Sequence, residues 1–543
     1  MDKENKRMSR SIKSLIQKAE HGSVASQFQL YEYYKQGKYV DQDDVIAEEY
    51  LALLANTVKE QKLFLNNLKL KDFRRFRELN LELDRNITVI IGDNGAGKTS
   101  IAEAIAKVFS WVNNNLEKND VNGKPVTLSD INVNSTDYSE IECEFILSKG
   151  NKFSGSLVKT TSGYSGSHSG TDVTSIKPLG AIYRHVALDD RIKLPLLAFY
   201  SVARSDFSLP MSISEKASDV VTSNRYLALK NALEGNGRLD DFSVLYIELV
   251  NLAEGKNSQK ILVLKKQINT LQNALDDVYQ GDIPTAGDPL AEKLKERKVE
   301  LERLEREVNP MPKRHLEAVN HAIESMVSDV KKPQVDRSSG KPQILVENFG
   351  NLINIAQLSK GQQTLVALTG DLAMRLVKLN PEADDPLSGH GIVVIDEIEL
   401  HLHPRWQQEI LIGLQETFPN LQFIVTTHSP QVLSTVDHKC IRQITLDDLG
   451  EPMIVTPHFQ TKGVASAEIL ARIMGTNSVP EKLKEATWLT EFSRYVKNGD
   501  TASRDKVFED IIQHFGAQHP VVMDCESRIR IAEMNERLNK SKC

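Results

Sequence analysis

The chain has 543 residues, of which 67 are lysine or arginine and 74 are aspartate or glutamate, so its net charge is −7. This length exceeds what one hydrophobic core covers, and the absence of a basic excess excludes nucleic-acid binding through global charge, leaving only a local patch. With no apolar run of 18 residues, no apolar N-terminal segment and four scattered cysteines, the sequence predicts a cytoplasmic protein without a membrane span, secretory signal or disulfide framework.

The first 60 residues are predicted to form a helical extension. Small and aromatic residues recur from Ala19 to Ala55 with a spacing that resembles a single Sel1-type helical-hairpin repeat, a relative of the tetratricopeptide repeat. The alternative is a plain helical extension. A single repeat cannot bury its own apolar face, so we expect this segment to pack against another part of the protein.

A glycine-rich loop stands between a buried strand and a helix. The β-branched run Ile87–Ile91 predicts the strand, and apolar residues at helical spacing after Thr99 predict the helix. The intervening loop matches the pattern G-x-x-x-x-G-K-[ST], in which backbone N–H groups surround a phosphate, the lysine reaches the β- and γ-phosphates and the threonine ligates Mg²⁺. The candidate ATP-binding residues here are Gly92, Asp93, Asn94, Gly95, Ala96, Gly97, Lys98, Thr99 and Ser100.

The middle of the chain changes from short strands to long helices. Ile141–Leu147 and Leu194–Val202 are predicted strands. Two heptad seams flank Gly281–Pro289 and predict an antiparallel coiled-coil hairpin, with two amphipathic helices packed on a globular body as the alternative. The seam positions are Ile261, Leu264, Ile268, Leu271, Leu275 and Val278, then Leu290, Leu294, Leu301, Leu304 and Val308. The polar stretch Lys331–Pro342 is predicted to be a linker.

A second group of motifs lies near residues 358–430. Ser359 is a predicted N-cap of a helix that begins with the pattern L-S-x-G-Q and ends near Leu379. About 30 residues later, an apolar strand ends at Asp396 and Glu397, which suit the Mg²⁺ shell and the polarisation of an attacking water, respectively. A further buried strand ends at His428, where a polar side chain can touch a γ-phosphate.

Together these motifs resemble the ABC-type ATPases of the SMC/Rad50/RecF group. The resemblance covers residues 62–205 and 340–450, and it implies an α/β fold: an ABC-type P-loop ATPase head with a coiled-coil insertion and helical N- and C-terminal extensions. In that group two heads dimerise head to tail around two nucleotides, which implies a homodimer or higher homo-oligomer through shared ATP sites. Carried over, Gly92–Thr99, Asp396, Glu397 and His428 act in cis, and Ser359 and Gly361 act on the nucleotide of the second copy.

The segment Asp72–Phe76 resembles the early N-F-R-S segment of Rad50-like proteins. The resemblance makes Arg74 and Arg75 candidate nucleotide-binding residues, and the alternative is ordinary surface charge. The predicted domains are residues 1–60, a helical extension; 61–207, the first ATPase lobe; 208–340, the coiled-coil insertion; 341–455, the second ATPase lobe; and 456–543, a helical C-terminal region.

A narrower resemblance concerns the PtuA-type ATPases of Septu anti-phage systems and of retrons. It rests on the stretch Glu399–Pro404, similar to ATPases of the overcoming-lysogenisation-defect group, on Phe199–Ser201 before Arg204, and on the helical C-terminus. It implies an HNH nuclease partner, and in retrons a reverse transcriptase with its RNA–DNA hybrid. The sequence contains no recognisable nuclease constellation of its own. The alternative function is a RecF/Rad50-like repair ATPase that acts directly on DNA.

Overall fold

The computed structural model describes residues 10–163, 166, 170–205, 225–235, 239–279, 289–307, 310–338, 340–476 and 482–540. A six-stranded central sheet forms the core of the part that precedes Val464. The strands are β1 (Leu63–Phe73), β2 (Phe76–Glu82), β3 (Ile87–Ile91), β4 (Tyr138–Leu147), β5 (Lys152–Thr160), β6 (Leu196–Tyr200), β7 (Val330–Asp336), β8 (Gln343–Asn348), β9 (Asn351–Asn354), β10 (Gly391–Ile395), β11 (Leu421–Thr426), β12 (Ile441–Leu446) and β13 (Pro452–Val455). The helices are α1 (Arg10–Glu20), α2 (Val24–Gln36), α3 (Asp44–Lys59), α4 (Lys98–Glu117), α5 (Ile176–Val186), α6 (Leu239–Tyr279), α7 (Pro289–Glu307), α8 (Met311–Met326), α9 (Lys360–Leu379), α10 (Pro404–Thr417), α11 (Pro430–Leu433), α12 (Ser466–Arg472), α13 (Lys484–Asn498), α14 (Thr501–Phe515) and α15 (Pro520–Lys540).

The central sheet has the strand order β13-β12-β3-β11-β10-β6. Strands β6, β10, β11, β3 and β12 run parallel, and β13 closes one edge antiparallel. Every residue of β3, β6, β10 and β11 is buried, which explains their largely apolar sequence. Because the carboxyl ends of parallel strands meet at one edge, the segments after these four strands converge there, as in other open α/β sheets.

A four-stranded antiparallel sheet, β2-β1-β4-β5, lies against the central sheet. The buried side chain of Gln422 on β11 joins the two, since its Oε1 accepts the N–H of Leu65 at 2.8 Å and its Nε2 donates to the carbonyls of Leu65 and Asp84. Strands β1 and β2 form an antiparallel hairpin whose turn lies between Phe73 and Phe76.

The N-terminal helices α1–α3 pack on one another and on α5. Phe28 and Tyr31 of α2 place their rings 5.4 and 5.3 Å from the ring of His185 on α5. The backbone N–H of Val24 also donates to Asn151 Oδ1 at 3.0 Å. The prediction that this helical segment packs against the rest of the protein is therefore confirmed.

Helices α6 and α7 pack along one another, and α6 also contacts α8 and α9. Of the first predicted seam, Leu264, Ile268 and Leu275 are buried. The residues between the two helices, 280–288, lie outside the described part of the chain, as do Val308 and the side chains of Ile261 and Val278.

The prediction of a linker over Lys331–Pro342 is wrong for its first half. Residues Val330–Asp336 form strand β7, which pairs antiparallel with β8 in the three-stranded sheet β7-β8-β9. The pairing register shifts between Lys331 and Gln334, so Pro333 lies in an irregularity where its missing N–H is tolerated. The polar and proline-containing sequence concealed the strand for this reason.

The chain divides into two compact units, Met1–Gly463 and Val464–Cys543. In the second unit, α13, α14 and α15 surround a small core of Phe492, Ile511, Val522 and Cys525. The helices predicted there are confirmed. Across the described residues of both units, the structure contains no helix with the length and apolar character needed to cross a membrane.

Candidate nucleotide site

The loop Gly92–Thr99 connects β3 to α4 and has the backbone of a phosphate-binding loop. Gly95 and Gly97 have φ values of +75° and +104°, which side-chain-bearing residues rarely adopt. A Cβ atom on Gly97 would lie 2.4 Å from Cζ of Phe76 in the β1–β2 turn. Glycine is therefore required at this position both by the backbone angle and by the packed phenyl ring.

Lys98 begins α4 and folds its side chain back over the loop. Its Nζ donates to the carbonyls of Gly92 at 3.0 Å and Asp93 at 3.1 Å, and the residue is only 5% exposed. Burial lowers the pKa of Lys98, while the nearby carboxylates of Asp396 and Glu397 act in the opposite direction. A desolvated ammonium group held at the mouth of this loop suits an anionic ligand.

Thr99 and Asp396 are joined directly, although 297 positions separate them. Thr99 Oγ1 donates to Asp396 Oδ2 at 2.7 Å, and Thr426 Oγ1 at the end of β11 donates to Asp396 Oδ1 at 2.5 Å. Asp396 is fully buried. The structure thus brings together the two residues predicted to hold Mg²⁺: Asp396, which follows β10, and Thr99, which lies at the start of α4.

Glu397 follows Asp396 with a left-handed backbone, φ +48°. Non-glycine residues reach this region at a cost, and the surroundings hold Glu397 in it. Its N–H donates to Thr426 Oγ1 at 2.8 Å, and its carbonyl accepts from Arg204 Nη2 at 2.5 Å. Arg204 Nη1 donates to the carbonyl of Asp396, also at 2.5 Å. The chain after β10 is therefore fixed from both sides.

Arg204 is a buried cation directly behind the two acids. It is 1% exposed, and burial lowers its pKa to about 10 against the opposing charges of Asp396, Glu399 and Glu397. It lies in a short 3₁₀ turn, Val202–Ser205, that follows β6. Arg204 therefore supplies both positive charge and directed N–H donors to the backbone of Asp396 and Glu397.

His428 follows β11 at the same sheet edge and is half-buried. Its backbone N–H donates to Glu399 Oε1 at 2.5 Å. Glu399 Oε2 is buried and has no hydrogen-bond partner among the described residues. Glu399 thus links the segment after the two acids to the histidine, and one of its oxygens has unused accepting capacity near the site.

The two candidate arginines of the β1–β2 turn have different surroundings. Arg74 donates to Asp130 from Nε at 3.1 Å and from Nη2 at 3.0 Å, and it also pairs with Glu103. Arg75 is exposed and donates from Nη1 to the carbonyl of Gly95 in the nucleotide loop. Arg75 is therefore in direct contact with the loop, whereas Arg74 is engaged by two carboxylates.

Ser359 caps α9 as predicted. Its Oγ accepts the N–H of Gln362 at 3.3 Å, and Gln362 Oε1 accepts the N–H of Ser359 at 3.1 Å, a reciprocal capping box. A Cβ on Gly361 would lie 2.7 Å from the carbonyl of His401 and 3.1 Å from the ring of Trp406. Neither set of contacts includes the loop Gly92–Thr99.

His403 is the N-cap of α10, and its Nδ1 accepts the N–H of Arg405 at 3.3 Å. Within the described ranges, no group of three or more histidine, cysteine or acidic side chains is arranged to hold a metal ion.

Sequence reasoning assigned no individual role to Phe76, Thr426, Gln362 or Glu399, although three of them lie in stretches that it quoted. The contacts of Phe76 and Thr426 depend on the fold. Gln362 was detectable, since S-x-x-Q at a helix start is the signature of a capping box. Glu399 was detectable as a third acid within four residues of Asp396, but only the structure shows its bond to His428.

The donor set fits ATP with Mg²⁺. Lys98 is a desolvated cation beside a loop with left-handed glycines, and Thr99 and Asp396 offer a hydroxyl and a carboxylate oxygen within hydrogen-bond distance of one another. Hard oxygen donors of this kind are those that Mg²⁺ accepts alongside substrate phosphates. Glu397 stands next to them with its backbone fixed.

Two family models match the chain. One is described as an AAA domain and covers residues 67–312, and the other is described as "AAA domain, putative AbiEii toxin, Type IV TA system" and covers residues 250–434. Together they include the nucleotide loop, both acids and His428. The match agrees with the ABC-type P-loop ATPase fold that the sheet order and the loop define.

Three curated relatives extend this result. The chain is 32% identical over 488 residues to the Retron Vc95 probable ATPase of Vibrio cholerae serotype O1 biovar El Tor, covering 87% of this chain and 91% of that protein. It is 28% identical to the Retron Ec83 probable ATPase of Escherichia coli, over 95% of this chain and 96% of that protein. It is also 38% identical to the Septu protein PtuA of Bacillus mycoides (strain KBAB4), over 21% of this chain and 15% of that protein. This chain therefore belongs to the family of retron ATPases and is of the PtuA type.

Proposed function

We propose that this retron ATPase binds and hydrolyses ATP in order to control an associated HNH nuclease in anti-phage defence. The observation that carries the catalytic part is the bond between Thr99 and Asp396, since it unites the two halves of an ATP site. The defence role is supported by the full-length similarity to two retron ATPases and by the shorter similarity to PtuA.

In the proposed reaction, the backbone of Gly92–Thr99 and the ammonium group of Lys98 hold the phosphates. Thr99 and Asp396 would hold Mg²⁺, which would neutralise phosphate charge during the transfer. Glu397 polarises the attacking water and takes up its proton. His428 contacts the γ-phosphate from the neighbouring strand end, and its backbone is held by Glu399.

The second proposed element is a homodimer. Ser359 is exposed at the N-terminus of the 20-residue helix α9, where the first-turn N–H groups and the helix dipole favour an anion. In the proposed head-to-tail arrangement, Ser359 and Gly361 of one copy complete the ATP site of the other. Nucleotide binding then determines whether two copies are joined.

The remaining partners are also proposals. The resemblance to retron and Septu ATPases supports a complex with an HNH nuclease, and in the retron form with a reverse transcriptase and its RNA–DNA hybrid. In this scheme the ATPase restrains or releases a nuclease according to nucleotide state. The competing function is direct action on DNA by the ATPase alone, as in RecF/Rad50-like repair proteins.

The variant Glu397→Gln distinguishes the two functions. It should preserve ATP binding and remove hydrolysis, so that the ATP-bound state accumulates. If the protein controls a nuclease, the variant alters cell viability only when the neighbouring nuclease gene is co-expressed, and the DNA affinity of the isolated chain does not change. A change in DNA affinity of the isolated chain, with no effect through the nuclease, would instead support direct action on DNA.

A further inference from the structure

The backbone behind the catalytic acids is connected to the base of the long helix α6. Arg204 donates to the carbonyls of Asp396 and Glu397, and its own Nη1 also donates to the carbonyl of Ser201 at 2.9 Å. Ser201 in turn donates from its N–H and its Oγ to the carbonyl of Gly235, at 3.1 and 3.0 Å. Helix α6 starts four positions after Gly235, at Leu239.

The contact between Ser201 and Gly235 is tight. Gly235 has φ +75°, and a Cβ on it would lie 2.4 Å from Ser201 Oγ. Tyr200 and Gly235 also form an isolated parallel bridge beside β6. The start of α6 is held against α9 as well, since a Cβ on Gly370 would lie 2.3 Å from Cε2 of Phe242. Gly235, which precedes α6, is thus packed against Ser201 behind the acids, and the start of α6 is packed against α9.

We propose that Arg204 is a positioning residue for Glu397, and that it couples the segment entering α6 to the backbone of the catalytic glutamate. This inference rests on the proposed ATPase function and extends it to regulation: a displacement of the helical insertion at Gly235 reaches Glu397 through Ser201 and Arg204. Arg204 donates to backbone carbonyls of the two acids and to Ser201, and not to the loop Gly92–Thr99, so its loss should affect the position of Glu397 more than phosphate binding by the loop.

The left-handed backbone of Glu397 explains why such a residue is needed. A non-glycine residue at φ +48° relaxes to another conformation unless its neighbours hold it. The two Nη groups of Arg204 bind successive carbonyls on either side of that residue's φ angle. Lysine in this position keeps the positive charge but cannot present two coplanar N–H donors.

The test compares Arg204→Lys with Arg225→Lys. Arg225 is a matched buried arginine, 6% exposed, that donates to the carbonyls of Leu379 and Ile192, neither of which belongs to the nucleotide site. We expect Arg204→Lys to lower kcat about 100-fold, as expected for a catalytic group displaced by about 1 Å, while the affinity for ATP analogues stays within about threefold of wild type. Arg225→Lys should lower the melting temperature and leave kcat per folded molecule unchanged.

A second variant tests the same connection without changing a buried charge. Gly235→Ala inserts a methyl group against Ser201 and should lower kcat in the same direction as Arg204→Lys, again with ATP-analogue binding retained. The inference is overturned if both Arg204→Lys and Gly235→Ala fold and hydrolyse ATP at the wild-type rate, or if both lose analogue binding in parallel with kcat. If wild-type protein itself neither binds nor hydrolyses ATP, the proposed function fails instead.

Discussion

Thr99 and Asp396 are hydrogen-bonded across 2.7 Å, which joins the start of α4 to the end of β10. This single contact connects the phosphate-binding loop to the acidic strand end that lies 297 residues later. Because Asp396 is also held by Thr426 from β11, three segments of the chain meet at one carboxylate. Loss of either hydrogen bond to Asp396 should lower nucleotide binding or hydrolysis more than it lowers the stability of the fold.

Lys98→Ala should abolish tight nucleotide binding. Removal of a charged donor that faces phosphate oxygens costs about 3 kcal/mol, which corresponds to about a 100-fold weaker affinity. The measurement is titration with a fluorescent ATP analogue in the presence of Mg²⁺. Lys118→Ala, at the other end of α4, is the matched control and should bind normally. Tight binding by Lys98→Ala would show that the loop is not the phosphate site.

Mixing two inactive variants tests the proposed shared site. Lys98→Ala retains a normal Ser359, and Ser359→Arg retains a normal nucleotide loop. In a head-to-tail dimer of one chain of each kind, one of the two sites has both intact components, so mixing should restore ATPase activity up to about half of the wild-type rate per dimer. As a control, Lys98→Ala mixed with the double variant Lys98→Ala/Ser359→Arg should stay inactive, because neither chain then has an intact nucleotide loop. Absence of restored activity despite dimer formation would contradict completion in trans.

Gly97→Ala should prevent nucleotide binding for a steric reason. The new Cβ would lie 2.4 Å from Phe76, and the residue has φ +104°, which alanine disfavours. We expect loss of analogue binding with a melting temperature lowered by a few degrees, consistent with about 1–2 kcal/mol of strain. Phe76→Leu introduced alone should leave binding detectable. Restored binding in the double variant Gly97→Ala/Phe76→Leu would show that ring contact, not backbone angle, dominates.

His390 should make the protein less stable at mildly acidic pH. Burial lowers the pKa of His390 from 6.5 to about 3. Below pH 6.5 the unfolded chain binds a proton at this residue and the folded chain does not, so stability falls as the pH decreases from 6.5 towards 3. Between pH 6.5 and 5 the loss from this residue amounts to about 2 kcal/mol.

His390→Phe should reduce that acid sensitivity. The measurement is the free energy of unfolding of wild type and variant at pH 7 and pH 5. The exposed His458→Phe serves as the control and should follow wild type. His185 and His315, whose pKa values burial also lowers, retain their share of the effect in all three proteins. An unchanged pH dependence in His390→Phe would contradict the buried neutral histidine.

The local sequence determined the elements that carry the chemistry. The β-branched run before Gly92, the glycine pattern and the helical spacing after Thr99 specify a strand, loop and helix through nearest-neighbour preferences. Ser359 and Gln362 specify a capping box within one helical turn. The heptad seam predicted the burial of Leu264 and Ile268. In the loop and the capping box the interacting groups lie within a few residues of one another, and in the seam the apolar spacing alone marks the face that packs on other helices, so pattern is sufficient.

Only the tertiary structure decided which distant residues complete the site. Arg204, Glu399 and Thr426 hold the backbone or side chains of Asp396, Glu397 and His428 through contacts between strand ends, and no local preference encodes their partners. The same holds for Phe76, which makes glycine necessary at position 97, and for the separate surroundings of Arg74 and Arg75. Strand β7 was missed because an irregular register accommodates its proline. The segments after β3, β6, β10 and β11 meet at one edge because these strands are parallel neighbours in the central sheet. The order of the strands depends on how the whole core is buried, which no local pattern specifies.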